Sequence, residues 1–183
     1  MVRKTKKAQE EYTFLGLELT GYKAAVDAAI NYEVKNLRNC FSDTRIYRFD
    51  SSVEITGTCI YPDERALENY EISVYGREES SGELDLTLKD CHVLDDDYTP
   101  KYRKIRGKEV PVYKIPKGLG LLNRIRGTKN WSGYAWVPPR TVSDMQVLLV
   151  GTRPLYLALH ELKIGRHRWI DSLTVQTTNP AEE

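Results

Sequence analysis

His160-Glu161, followed by His167, is the fragment richest in residues with catalytic chemistry. A zinc-binding helix needs two histidines four apart on one face, with a glutamate between them. Here the spacing is seven and Gly165 interrupts it, so no metal ligation is expected. The flanking apolar runs suit a hairpin turning at Gly165-Arg166 instead. That register sets Ile164 opposite His167, Leu162 opposite Trp169, His160 opposite Asp171, Ala158 opposite Leu173 and Tyr156 opposite Val175. His160 and Asp171 are then expected to form a buried structural pair, because an unpartnered buried polar group costs about 1–3 kcal/mol. The same two residues are two-thirds of a hydrolytic triad. Ser143 or Ser172 would have to supply the nucleophile, and no G-x-S-x-G turn presents either. No catalytic residue is assigned on this basis.

Two other fragments resemble ligand sites only in part. Asp95-Asp96-Asp97, near Asp90 and His92, lacks the spacing and glycine of a calcium loop. A solvated turn is expected there. Lys117-Gly118-Leu119-Gly120 satisfies neither the Walker pattern nor the dinucleotide fingerprint. No cofactor is expected. Cys40, Cys59 and Cys91 include no C-x-x-C pair, and read as small apolar groups in a reducing compartment.

The positive signal is electrostatic. The 183 residues carry a formal net charge of only +1. Residues 50–97 hold 3 basic and 14 acidic side chains, a net of −11, whereas residues 98–140 hold 11 basic side chains and one acid, a net of +10. Asymmetry of this kind speaks to partners rather than to fold. Lys101, Arg103, Lys104, Arg106, Lys108, Lys117, Arg124, Arg126 and Lys129 are interleaved with Tyr102, Tyr113 and Trp131. Cations for phosphates beside aromatic faces for bases are what single-stranded nucleic-acid binders use. An acidic protein surface would be recognised by the same cations.

Positioning these residues requires strands. Even positions from Tyr22 to Val34 are apolar and most odd ones polar, a period of two that predicts a long strand with one buried face. A helix carrying Val26, Ile30 and Val34 on one stripe is the rival, favoured by four alanines. Strands are also expected over Leu15–Leu19, Val53–Tyr61, Trp131–Val137 and Met145–Val150. A hairpin around Ser80-Ser81-Gly82 would set Val74 opposite Leu88. Another, with a type II′ turn at Gly107-Lys108, would set Arg106 opposite Glu109 and Tyr102 opposite Tyr113. Residues 116–130 read as a loop.

Nine or ten strands with at most one or two short helices predict a mainly β fold: a single-domain antiparallel β-sandwich or β-barrel. Residues 1–13 are expected to be a flexible basic arm, 14–177 the domain and 178–183 a frayed tail. No run of about 18 apolar residues predicts a membrane helix, and a cytoplasmic location follows as an expectation. The reading of function is a non-catalytic binding module that docks with a protein partner, or self-associates, through a charge-polarised surface. Nucleic-acid binding through residues 101–131 is the alternative, and an enzyme using His160 and Asp171 is the third.

Overall fold

The computed structural model describes residues 9–30, 32–35, 46–77, 87–88, 90–151 and 153–182. The chain is a mainly β single domain built on a closed seven-stranded barrel. Its strands are β1 (Glu10–Ile30), β2 (Tyr47–Tyr61), β3 (Asn69–Arg77), β4 (Tyr102–Ile105), β5 (Lys108–Pro111), β6 (Gly120–Arg124), β7 (Asn130–Val137), β8 (Tyr156–Ile164) and β9 (His167–Gln176). A single helical turn, α1 (Tyr32–Lys35), follows β1, and helix α2 (Pro139–Val150) links β7 to β8. Around the barrel the order is β1-β2-β3-β7-β6-β9-β8, while β4 and β5 pair only with each other.

Inward residues alternate as the period of two requires. Leu15, Leu17, Val53, Ile55, Tyr70, Ile72, Val74, Ala135, Leu157, Leu159 and Ile170 fill the core. Every neighbouring pair in the barrel is antiparallel except β3 and β7, which run parallel. The all-antiparallel expectation fails at that seam. It also fails for the 70–88 hairpin: β2 and β7 occupy both edges of β3 from Asn69 to Gly76, so Val74 cannot pair with Leu88. Residues 78–86 of that hairpin lie outside the described residues.

The long strand at 22–34 is present as far as Ile30, merged with the Leu15–Leu19 run through irregularities at Gly16/Leu17 and Leu19/Gly21. Its buried face is shorter than expected. Tyr22 still packs on the core; beyond it β1 runs on without β8, β2 stays paired with β3 as far as Asp50, and from Ala28 and Phe49 outward β1 and β2 continue as a two-stranded ribbon. Residues 10–13 belong to β1 rather than to an arm, and Pro180 in the expected tail is buried over Gly16.

Residues 145–150 are helical, not extended. Pro139 sits in the first turn, where its missing N–H costs nothing, and Val142, Met145 and Leu149 recur at helical spacing and are buried. This stripe contacts β2, β3 and β9 and plugs one end of the barrel. The loop expected over 116–130 contains β6. Both its edges are used: Leu121 pairs with Tyr134 on one side and Trp169 on the other.

The β4–β5 ribbon has a different turn from the expected one. Arg106 (φ 50°) and Gly107 (φ 81°) are both left-handed, the signature of a type I′ turn, whose twist matches the strands. Ile105 therefore faces Lys108, Lys104 faces Glu109 and Tyr102 faces Pro111, which removes the expected Tyr102–Tyr113 pair.

Candidate functional site

The hairpin β8–β9 turns where expected, with Ile164 opposite His167 and Leu162 opposite Trp169. The register then slips: Glu161 faces Ile170 and His160 faces Ser172. Asp171 is the extra residue of a bulge, so Ala158 meets Thr174 and Tyr156 meets Gln176. His160 and Asp171 are exposed and are not register partners. Nδ1 of His160 lies 2.9 Å from the Ser172 hydroxyl instead, and its ring lies 4.9 Å from that of Phe14. This contact sits on the barrel's outer wall. His160→Ala is expected to change unfolding free energy by less than about 0.5 kcal/mol in urea titrations, as for other surface positions; a larger loss would restore the buried pair.

The bulge has a second effect, and it builds the most concentrated polar site among the described residues. Glu161 continues the inward phase of Leu157 and Leu159 and is fully buried. Its carboxylate accepts two hydrogen bonds from the Arg65 guanidinium, at 2.9 and 3.1 Å, and one from Arg168. Arg65 is the last residue of the 3-10 turn between β2 and β3 and also donates to the Tyr70 hydroxyl at 3.2 Å. Glu68, buried at the end of the same loop, accepts a 2.7 Å hydrogen bond from the Trp131 indole and one of 3.2 Å from Arg124. Trp131 stacks parallel to Tyr70, with centroids 5.8 Å apart. The guanidinium carbons of Arg65, Arg168 and Arg124 lie 4.5, 5.3 and 5.8 Å from the indole centroid.

Three guanidiniums and two carboxylates thus surround one tryptophan at the end of the barrel opposite α2. Low dielectric strengthens each contact and penalises any missing one. Burial pushes the Tyr70 phenol well above the ordinary tyrosine range, against the pull of Arg65. Burial opposes the charge of Arg65, yet its hydrogen bonds to Glu161 and the field of Tyr70 outweigh that and raise its pKa. The cluster's partners are already satisfied by one another, and no nucleophile or general base is set free within it.

No family model, curated protein or solved structure matches the chain.

The sequence-selected basic residues divide into two groups. Lys101, Tyr102, Arg103, Lys104, Arg106 and Lys108 lie on or beside the β4–β5 ribbon and are all exposed. Arg124, Arg126 and Lys129 lie at the end of β6 and in the turn before β7, and with Gly127 and Thr128 they line an open hollow. Lys117 precedes β6 at the other end of that strand, its ammonium 5.8 Å from the Trp169 ring. Tyr113 is half-buried against His92, centroids 4.5 Å apart, and Trp131 is buried in the cluster. Of Tyr102, Tyr113 and Trp131, Tyr102 alone stands exposed, while Tyr98 and Tyr134 in the same basic block are exposed as well. Sequence reasoning missed Arg65, Glu68 and Arg168. The available signal was Glu161, an acid in phase with Leu157 and Leu159.

The acidic triplet forms a turn. Asp95 accepts hydrogen bonds from the Thr99 hydroxyl at 2.7 Å and from the amides of Thr99 and Asp97 at 2.9 and 3.0 Å. These hold its pKa below the usual aspartate value, the Thr99 hydroxyl contributing most. Among the described residues no three His, Cys, Asp or Glu converge to hold a metal ion.

Proposed function

We propose that this chain is a non-catalytic, β-rich binding module that docks with a protein partner through elements projecting from a filled barrel. The ribbon of β1 and β2 carries the reading. Val26 pairs with Ser51, Ala28 with Phe49 and Ile30 with Tyr47, and directly opposed residues share a face. Val26, Ile30, Tyr47 and Phe49 on that face are 76%, 57%, 60% and 53% exposed. A contiguous apolar strip on the surface of a soluble domain is a mark of association. It is also the continuation of the barrel's inner face, which elsewhere is covered.

The double substitution Val26→Lys with Phe49→Lys is expected to leave thermal unfolding nearly unchanged, because both side chains are exposed. In an extract of the native host, the wild-type chain should sediment within a larger complex and the variant as a free chain. A wild-type chain that sediments alone overturns the reading. The exposed cations of the β4–β5 ribbon favour nucleic acid as the second reading. Nuclease treatment of the same extract separates the two, since a complex held by phosphate contacts dissolves with nuclease and weakens steeply with salt.

A further inference from the structure

The ribbon has an edge as well as a face. β1 pairs with β8 from Glu10 only as far as Glu18, opposite Tyr156, and the Leu19 amide donates to the Leu155 carbonyl at 2.9 Å. From Thr20 to Ile30 no described strand meets that edge. A long strand edge with unmatched main-chain groups is a template for another strand.

We infer that this edge pairs antiparallel with the same edge of a second copy, about a two-fold axis beside Ala25. The inference rests on the ribbon being a docking element. Its warrant is self-complementarity, which a two-fold interface requires. With Ala25 on the axis, Lys23 stands opposite Asp27 of the second copy and Asp27 opposite its Lys23. Tyr22 meets Ala28 and Ala24 meets Val26. Moving the axis to residue 23 would set lysine against lysine, and moving it to residue 27 would set aspartate against aspartate. Placing it at residue 24 or 26 leaves both charges opposite neutral residues. Opposed unlike charges stabilise paired strands and like charges destabilise them, so charge selects one register. Lys23, with its side chain 82% exposed, reaches Glu54 at 2.7 Å within the chain and lies on the same side of the ribbon as Asp27. The pairing keeps even positions together, so the apolar faces of the two ribbons join into one.

The experiment is sedimentation equilibrium of the purified full-length chain across a range of concentrations. The wild type should reach twice the chain mass. Lys23→Asp alone and Asp27→Lys alone should each weaken dimerisation about tenfold or more, since each places two like-charge contacts at the axis, and the double exchange should recover most of the loss. On mild oxidation Ala25→Cys should give a disulfide-linked dimer, because directly opposed residues lie within disulfide reach, while Ala29→Cys, set opposite Gly21, should not. A dimer indifferent to the charge exchanges, with no cross-link at residue 25, overturns the edge. A chain that stays monomeric when pure but enters a Val26- and Phe49-dependent complex in extract overturns the second copy and leaves the docking module standing. A chain monomeric in both overturns the two together.

Discussion

Glu161→Gln is expected to cost about 3–5 kcal/mol of unfolding free energy, the range for breaking a buried ion pair by removing one partner. The substitution preserves shape and removes charge. Arg65 and Arg168, whose side chains are 14% and 26% exposed, would be left facing a neutral amide inside the barrel. For a domain whose total stability is on the order of 5–15 kcal/mol, that is a large fraction. Urea titration followed by tryptophan fluorescence reads it directly, because Trp131 lies against all three guanidiniums. Lys163→Ala, which breaks the exposed pair with Glu11, is the control. Exposed pairs contribute about 0–1 kcal/mol, and the contrast between the two is the prediction. A Glu161→Gln loss no larger than the Lys163→Ala loss would mean that water reaches the cluster freely.

Gly120→Ala is expected to be the most damaging glycine-to-alanine change among the described residues. A Cβ at this position would run into the Tyr134 carbonyl oxygen and lie 2.7 Å from its carbon. Neither atom belongs to a flexible side chain. The neighbouring Leu119 donates to Ile170 at 2.7 Å and accepts from the Trp136 amide at 2.9 Å, so β6 is tied on both sides and cannot step away. Overpacking of ordinary cores costs about 1–3 kcal/mol and occasionally more; here a backbone seam must open, and a loss above about 3 kcal/mol or a failure to accumulate folded protein is expected. Gly107→Ala supplies the comparison. It has open space around it and a left-handed φ of 81°, so only the conformational cost of about 1 kcal/mol remains. Thermal melts of the two variants should therefore differ widely, and similar melting points would refute the close approach at Gly120.

These two positions also mark what the sequence hides. The mainly β class was legible because alternation persists through β1, β2, β7 and β8, and the Gly165-Arg166 turn was legible because a glycine divides two apolar runs. Helix α2 was not, because Met145–Val150 is too short a window to show a helical stripe that begins at Val142. The His160 register was lost through a single residue, since a bulge at Asp171 leaves composition untouched while rotating every later pair. The cluster was hidden for a different reason. Arg65 and Glu68 come from a short irregular loop, and Arg65 is 96 positions from Glu161. Only the closed barrel brings them together, so no local spacing encodes the contact. The basic block was conspicuous as a run, but the fold separates it into an exposed ribbon and a turn beside the cluster.

Barrel closure has a consequence for how the chain is made. The seam between β1 and β8 joins Glu10 to Ile164, far apart along the chain, and the parallel seam joins β3 to β7 across the whole β4–β6 excursion. Leu15 and Leu17 therefore have β2 on one side only until β8 is made. Long-range pairings of this kind fold slowly, because the loops between them must be closed before any contact repays the entropy. A nascent chain halted before Tyr156 would hold an open, apolar sheet.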